Sequence, residues 1–263
     1  PRTAGRPHPA AARMSNLAKT PLYLQIRPCG PVTDVEASGR LHERLTQAAE
    51  DQGWRAILDH AWPALEPVFS ASPYLTSLVR RHPERLVRTL DADPLTHLEV
   101  VLSEVEVLRG SPDELKAPLR AAKADIHLLC ALCDLGGVWG LDTVTAALSR
   151  LADSATRTAL GAIGNDLRQR GRLVSPADHA GGPIPGLFIL AMGKHGANEL
   201  NYSSDIDLSL FFDPDRLAPA LADGLEMQGL VDRVAQSLSR LLSERTADGY
   251  VFRVDLRLRP DPA

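Results

Sequence analysis

Two aspartates stand two positions apart in the segment Ser204-Asp205-Ile206-Asp207-Leu208. On a β-strand, side chains at i and i+2 project from the same face, here ~6.6 Å apart along the chain, and the apolar neighbours project from the other face. Two nearby carboxylates repel each other unless cations neutralise them, and oxygen ligands suit Mg²⁺ or Mn²⁺. The spacing favours a divalent metal site, although Asp-x-Asp also occurs by chance in exposed strand ends and turns.

A second charged pattern runs from Arg253 to Arg259, where every odd position is charged and every even position is apolar. This alternation predicts a strand with one fully polar face. Asp255 stands on that face together with Arg253, Arg257 and Arg259. If the strand pairs beside the one that carries Asp205, Asp255 becomes a third carboxylate and the arginines supply positive charge for phosphate oxygens. A solvated edge strand with its arginines in water is the alternative.

Three aspartates with arginines are typical of phosphoryl or nucleotidyl transfer, in which two cations ~4 Å apart activate the attacking oxygen and stabilise the leaving one. The turn Gly193-Lys194-His195-Gly196 follows an apolar run and offers backbone N–H groups and a cation to a phosphate. An ordinary structural turn also explains it. The sequence lacks the Gly-rich pattern that ends in Gly-Lys-Ser/Thr, which argues against a P-loop ATPase.

Composition limits the classes of protein that this chain of 263 residues can belong to. Hydrophobic residues make up 44% and aromatic residues 5%, which favours a helix-rich globular protein. Lys and Arg total 29 against 33 Asp and Glu, so no general positive field favours nucleic acid. Three cysteines suit a reducing compartment, and we expect a cytoplasmic protein. The longest apolar run, residues 186–193, is too short to span a membrane.

Periodicity along the chain predicts an α+β fold. We expect residues 1–34 to be a disordered or extended leader, 35–170 a helical region, 171–185 a connection rich in Gly and Pro, and 186–263 a catalytic core. Within that core we predict strands at Leu187 to Met192, Ile206 to Phe212 and Tyr250 to Leu258, with an amphipathic helix around residues 230–242. Nothing follows the last strand to cover it, so we expect the core to be truncated at its C-terminal end.

Two longer strings, AMGKHGANELNYSSDIDL at 191–208 and RVDLRLRP at 253–260, resemble the bacterial glutamine synthetase adenylyltransferase/adenylyl-removing enzymes. These belong to the DNA polymerase β-like nucleotidyltransferase superfamily, and the resemblance covers about residues 70–261. It implies a polymerase β-like mixed sheet after the helical region. Because the family enzyme is several times longer, the resemblance also implies that this chain is an N-terminal piece of it.

The resemblance assigns roles to the residues already singled out. It implies that Asp205, Asp207 and Asp255 are catalytic metal ligands, with two Mg²⁺ or Mn²⁺ ions as cofactor. Gly193 falls at the glycine turn that contacts nucleotide phosphate, with Lys194 beside it. The residues expected to complete the phosphate and nucleotide contacts are Ser204, Arg253, Arg257 and Arg259.

The lead-in at 201–204 and the form Arg253-Val254-Asp255 resemble the copy of the domain that removes AMP. That resemblance implies phosphorolysis: inorganic phosphate attacks the adenylyl group on a tyrosine of glutamine synthetase, and ADP forms. Adenylyl transfer from ATP to the tyrosine and an inactive docking fragment are the alternatives. The implied partners are adenylylated glutamine synthetase, phosphate, ADP and ATP, with a nitrogen-regulatory signalling protein as a further one, and neither membrane nor nucleic acid.

Two other features leave a choice open. His195 lies in the phosphate turn, at a position where the family more usually has Leu, and is either a loop histidine or a donor to phosphate. Cys130 and Cys133 have the spacing of a metal or redox pair, but Cys133 lies on the apolar stripe of a predicted helix, which favours a pair that faces the core.

Overall fold

The computed structural model describes residues 19–174 and 182–256. Seven helices form the first part of the described chain: α1 (Val35–Gln52), α2 (Arg55–Ala71), α3 (Pro73–Arg81), α4 (Pro83–Leu90), α5 (Pro94–Glu106), α6 (Lys116–Leu135) and α7 (Leu141–Gln169). The second part contains β1 (Leu187–Met192), α8 (Gly193–Gly196), β2 (Ile206–Phe212), α9 (Pro214–Leu217), α10 (Met227–Ser243) and β3 (Val254–Leu256). No helix in these ranges is long and apolar enough to cross a membrane.

Local sequence sets where several helices begin. The side chains of Asp34, Ser72 and Asp93 accept hydrogen bonds from the first free N–H groups of α1, α3 and α5. Proline occupies the first turn of α3, α4 and α5, where no N–H is needed. The helical region of the sequence is therefore divided by side-chain caps and prolines into short helices before the long pair α6 and α7.

Helices α6 and α7 follow each other after a short loop and pack together. The predicted apolar stripe of α6, which includes Cys133, is buried, and Cys130 beside it is fully buried too. Burial raises the pKa of the Cys130 thiol to about 12. A protonated, enclosed thiol is a poor metal ligand, so the two cysteines serve the core.

Part of the predicted leader packs against the helices. Residues 1–18 lie outside the described residues, but residues 19–34 include a short 3-10 turn, Leu22–Leu24, in which Leu22 is fully buried. The N–H of Leu22 donates to the carbonyl of Ala92, and the N–H of Arg27 donates to that of Gly136. Burial of an apolar side chain and pairing of the backbone thus hold the segment to the core, which polarity alone did not indicate.

The three described strands form one mixed sheet in the order β1-β2-β3. Strand β1 is antiparallel to β2, with Leu187 opposite Phe212 and Met192 opposite Asp207. Strand β3 is parallel to β2, and the crossover between them contains α10, which packs against α7 and both strands. Seven helices followed by this small mixed sheet make the fold α+β, as predicted.

The prediction of a strand from Tyr250 was wrong at its start, because the described strand begins at Val254. Val251 and Phe252 are consecutive and both buried, and their N–H groups donate to the carbonyl of Leu242 at the end of α10. Two neighbouring buried side chains cannot alternate across a sheet. The remainder of the predicted strand, from Arg257 onward, lies outside the described residues.

Helix α6 holds the segment that leads into β3. The guanidinium of Arg120, only 2% exposed, donates to the carbonyl oxygens of Gly249 and Lys116 at 2.8 Å and also to that of Glu244. Beside it, Nζ of Lys123 donates to the carbonyl of Tyr250 at 3.1 Å. A buried cation that satisfies three carbonyls fixes the loop 244–250 relative to α6.

We expect Arg120→Met to lower the free energy of unfolding by about 2–4 kcal/mol, because three carbonyl oxygens lose a buried, charged donor. The matched change Arg40→Met removes an exposed i,i+4 pair with Glu36 and should cost less than about 0.5 kcal/mol. Urea denaturation at pH 7 measures both. Equal losses for the two variants would contradict the anchoring role of Arg120.

Candidate metal and phosphate site

Sheet topology brings three sequence motifs to one end of the sheet. Because β1 is antiparallel to β2, the end of β1 lies beside the start of β2, and the parallel β3 begins there too. Asp207 is opposite Met192 on one side and opposite Asp255 on the other. Register partners in neighbouring strands project from the same face, so Asp207 and Asp255 stand side by side on it. The structure therefore brings together these two predicted metal ligands, which lie far apart in sequence.

The third predicted ligand, Asp205, is paired with an arginine. Its Oδ1 accepts a hydrogen bond from Nε of Arg253, and Nη2 of Arg253 donates to the carbonyl of Ser203 at 2.6 Å. Both side chains are about half exposed, and the bond to Asp205 raises the pKa of Arg253. Sequence alternation placed Arg253 on the polar face but gave no sign of this ion pair.

Gly193 lies directly against Asp207. Its φ is +56°, and a β-carbon added there would stand 2.5 Å from Oδ2 of Asp207. Only glycine accommodates both the left-handed backbone and the carboxylate. Lys194 follows in the exposed turn of α8, so a cation and the aspartates share one end of the sheet. This arrangement brings the predicted phosphate turn to the predicted metal ligands.

The carboxylates fit a divalent cation in part. Mg²⁺ and Mn²⁺ prefer oxygen donors of this kind. Because Gly193 has no β-carbon, the carboxylate of Asp207 can lie against the turn. Within residues 19–174 and 182–256, however, no group of three or more Asp, Glu, His or Cys side chains is arranged to hold a metal. Two carboxylates are in register, and the third predicted ligand, Asp205, is paired with Arg253.

The structure describes only some of the other residues that were predicted to contact phosphate or nucleotide. Oγ of Ser204 donates to Oδ1 of Asn201 at 2.8 Å, within a turn that the same oxygen stabilises through the N–H of Ser203. Arg257 and Arg259 lie outside the described residues. His195 is buried, and its Nε2 is 2.8 Å from Oδ1 of Asp153 on α7, so its ring is turned towards the helices.

Sequence reasoning missed the polar residues of α6 that support the site. Nζ of Lys123 lies 4.0 Å from the centroid of the Tyr250 ring, and burial lowers the pKa of this lysine to about 8. His127 is buried between Tyr74, whose Oη is 3.1 Å from its Nδ1, and the ring of Tyr202 in edge-to-face contact. The available signal was the spacing of Arg120, Lys123 and His127, which are three and four positions apart and therefore share one face of the helix.

We expect Gly193→Ala to weaken Mn²⁺ binding by at least about tenfold, because its β-carbon displaces the Asp207 carboxylate. Gly137→Ala is the matched control, since Gly137 has a φ of +70° but open space around the added carbon. Both should lose about 1–2 kcal/mol of stability from the left-handed backbone. Isothermal titration calorimetry with Mn²⁺ separates the two effects, and equal affinities in the two variants would contradict the packing of Gly193 against Asp207.

The buried His127 should make the protein less stable in mild acid. Burial lowers its pKa to about 3 in the folded chain, whereas the ordinary value is ~6.5. As pH falls below 6.5, the unfolded chain takes up a proton that the folded chain does not, which costs about 1.4 kcal/mol per pH unit.

Chemical denaturation at pH 7 and pH 5 should therefore show a loss about 2 kcal/mol larger in the wild type than in His127→Gln. The comparison isolates His127 because His97, whose pKa burial also lowers, is present in both proteins. Parallel profiles would contradict a neutral His127 in the folded state.

Known proteins resemble this chain over most of its length. A family model described as glutamate-ammonia ligase adenylyltransferase matches residues 62–263. The chain is 48% identical, over 94% of its length, to the bifunctional glutamine synthetase adenylyltransferase/adenylyl-removing enzyme of Caulobacter vibrioides, and 51% identical over 73% to that of Bradyrhizobium diazoefficiens. It spans 25% and 19% of these relatives. The chain therefore belongs to the glutamate-ammonia ligase adenylyltransferase family.

Proposed function

We propose that this chain carries the adenylyl-removing site of its family. In this proposal, inorganic phosphate takes the adenylyl group from a modified tyrosine of glutamine synthetase and ADP leaves. The observation that carries the proposal is the in-register pair Asp207 and Asp255 with the Gly193 turn packed against it. Carboxylates beside a glycine turn provide for a divalent cation and a phosphate at one place.

Each group at the end of the sheet has a separate task in this proposal. Asp207 and Asp255, joined by Asp205, would hold Mg²⁺ or Mn²⁺, with two ions expected. When bound, the cations neutralise the oxygens around the reacting phosphorus and favour deprotonation of the attacking group. Lys194 and the backbone of the turn bind the incoming phosphate.

Arg253 changes partner in this scheme. In the structure its guanidinium neutralises Asp205. Once Asp205 turns to a cation, the same guanidinium is free to bind phosphate oxygens, for which its planar set of donors is suited. The ion pair thus keeps both groups at the site before substrate arrives.

The reaction conserves its atoms without a further reagent. An oxygen of inorganic phosphate forms a bond to the adenylyl phosphorus, the bond from that phosphorus to the tyrosine oxygen breaks, and the phenolate takes a proton from solvent. The products are ADP and glutamine synthetase with its tyrosine unmodified.

The substrate and direction rest on two kinds of support. The relatives are named for action on glutamine synthetase, and their names include both addition and removal of the adenylyl group. Removal is favoured here by the lead-in at 201–204 and by Arg253-Val254-Asp255, which resemble the removing copy.

We further propose a cytoplasmic location and response to a nitrogen-regulatory protein. Adenylyl transfer from ATP at the same site is the second candidate, because the names of the relatives state both activities.

We expect the chain to release labelled ADP from glutamine synthetase that carries labelled AMP when phosphate and Mg²⁺ are supplied. Asp207→Asn and Asp255→Asn should each lower this rate at least about 100-fold, because the cation loses a charged ligand. Asp59→Asn is the control, since it removes the same charge from an exposed carboxylate on α2.

Other outcomes would overturn the proposal. Transfer of label to unmodified glutamine synthetase from ATP, with no phosphate-dependent release, would establish the opposite direction. Release that both aspartate variants leave unchanged would remove the site from the reaction. No transfer in either direction would make this chain a docking piece of the longer enzyme.

A further inference from the structure

One face of α7 contacts the segment between β1 and β2, which includes the phosphate turn, at two points. Ser149, Asp153 and Thr156 are four and three positions apart and therefore share a face of the helix. Oγ of Ser149 accepts a hydrogen bond from the N–H of Leu200 at 3.2 Å, and Oδ1 of Asp153 is 2.8 Å from Nε2 of His195. The turn between β1 and β2 is thus held at residues 195 and 200 by a helix of the first part of the chain.

His195 is the one residue of the segment 193–199 whose side chain is buried, with 3% of its surface exposed, whereas Lys194 and the following residues are exposed. A carboxylate only accepts hydrogen bonds, so Nε2 of His195 is the donor to Asp153. This bond ties the centre of an otherwise exposed turn to α7. Within the turn itself, the N–H of Ala197 donates to Gly193 and that of Glu199 to Lys194.

A small cleft lies beneath this contact. It has a volume of about 200 Å³ and lies between α7 and the inner face of the sheet, with Thr156, Ile189 and His195 in its wall. Nδ1 of His195 and Oγ1 of Thr156 are both buried and have no hydrogen-bond partner among the described residues.

The position of this turn matters for the candidate site. The carboxylate of Asp207 lies so close to Gly193 that a single added β-carbon would clash with it. A turn that moves on α7 therefore changes the space between Gly193, Lys194 and Asp207, where the proposed phosphate binds.

We propose that Asp153 and His195 are positioning residues that hold the phosphate-binding turn in place for the incoming phosphate. This inference rests on the proposed function for its substrate, but the contact itself is independent of it. Asp153 is about half exposed, so the bond contributes little to global stability, and its loss acts mainly on the turn.

The test compares Asp153→Ala with Asp153→Asn, which keeps an acceptor oxygen for Nε2. The second control is Asp166→Ala, which removes an ion pair between α7 and Arg170, the residue directly after this helix. Hydrogen exchange of the segment 193–200 should be about three- to fivefold faster in Asp153→Ala and unchanged in Asp166→Ala. Asp153→Asn should stay close to the wild type.

In the phosphorolysis assay, Asp153→Ala should raise the KM for phosphate by about three- to fivefold and leave kcat within about twofold. Exchange that is unchanged in Asp153→Ala would overturn the positioning contact. Faster exchange with an unchanged KM would show that the turn does not bind phosphate. If the wild type lacks phosphorolysis, the proposed function fails, and the exchange measurement still decides whether the pair holds the turn.

Discussion

Asp207 and Asp255 occupy directly opposite positions on neighbouring parallel strands, where two negative charges of the same kind repel. A cation or a hydrogen-bond donor can compensate such a pair, and among the described residues Arg253 and Lys194 carry positive charge to this end of the sheet. The pairing depends on a parallel β2–β3 contact, which requires the crossover through α10. The site is therefore a product of topology, because no local segment contains both carboxylates.

The helical part of the chain supports this site structurally. On one side, Arg120 and Lys123 of α6 bind the carbonyls of the loop that enters β3. On the other, Ser149 and Asp153 of α7 hold the turn between β1 and β2. Two adjacent helices therefore fix both segments that bring charged groups to the sheet, and the small sheet does not have to supply this rigidity itself.

The sequence predicts most of the elements but few of the contacts that arrange the site. The bounds of β1 follow from a continuous apolar run and those of β2 from a partly alternating one. The sequence puts Asp255 on the polar face of its strand, but its position beside Asp207 depends on the pairing of β3 with β2. The partner of Asp205 does not follow, since alternation gives the face of Arg253 and not its choice of carboxylate. Helical periodicity predicts burial only for apolar positions, so it gives no sign of the buried polar residues of α6. Arg120 can be buried because its guanidinium donates hydrogen bonds to backbone carbonyls.

The position of a bound cation would test directly whether Asp207 and Asp255 form a metal site. Crystals of the chain grown with Mn²⁺, with data collected at an energy where manganese scatters anomalously, would locate it without reference to activity. We expect an anomalous peak coordinated by the carboxylates of both Asp207 and Asp255. A peak that is absent at saturating Mn²⁺, or that contacts only one of the two carboxylates, would contradict it.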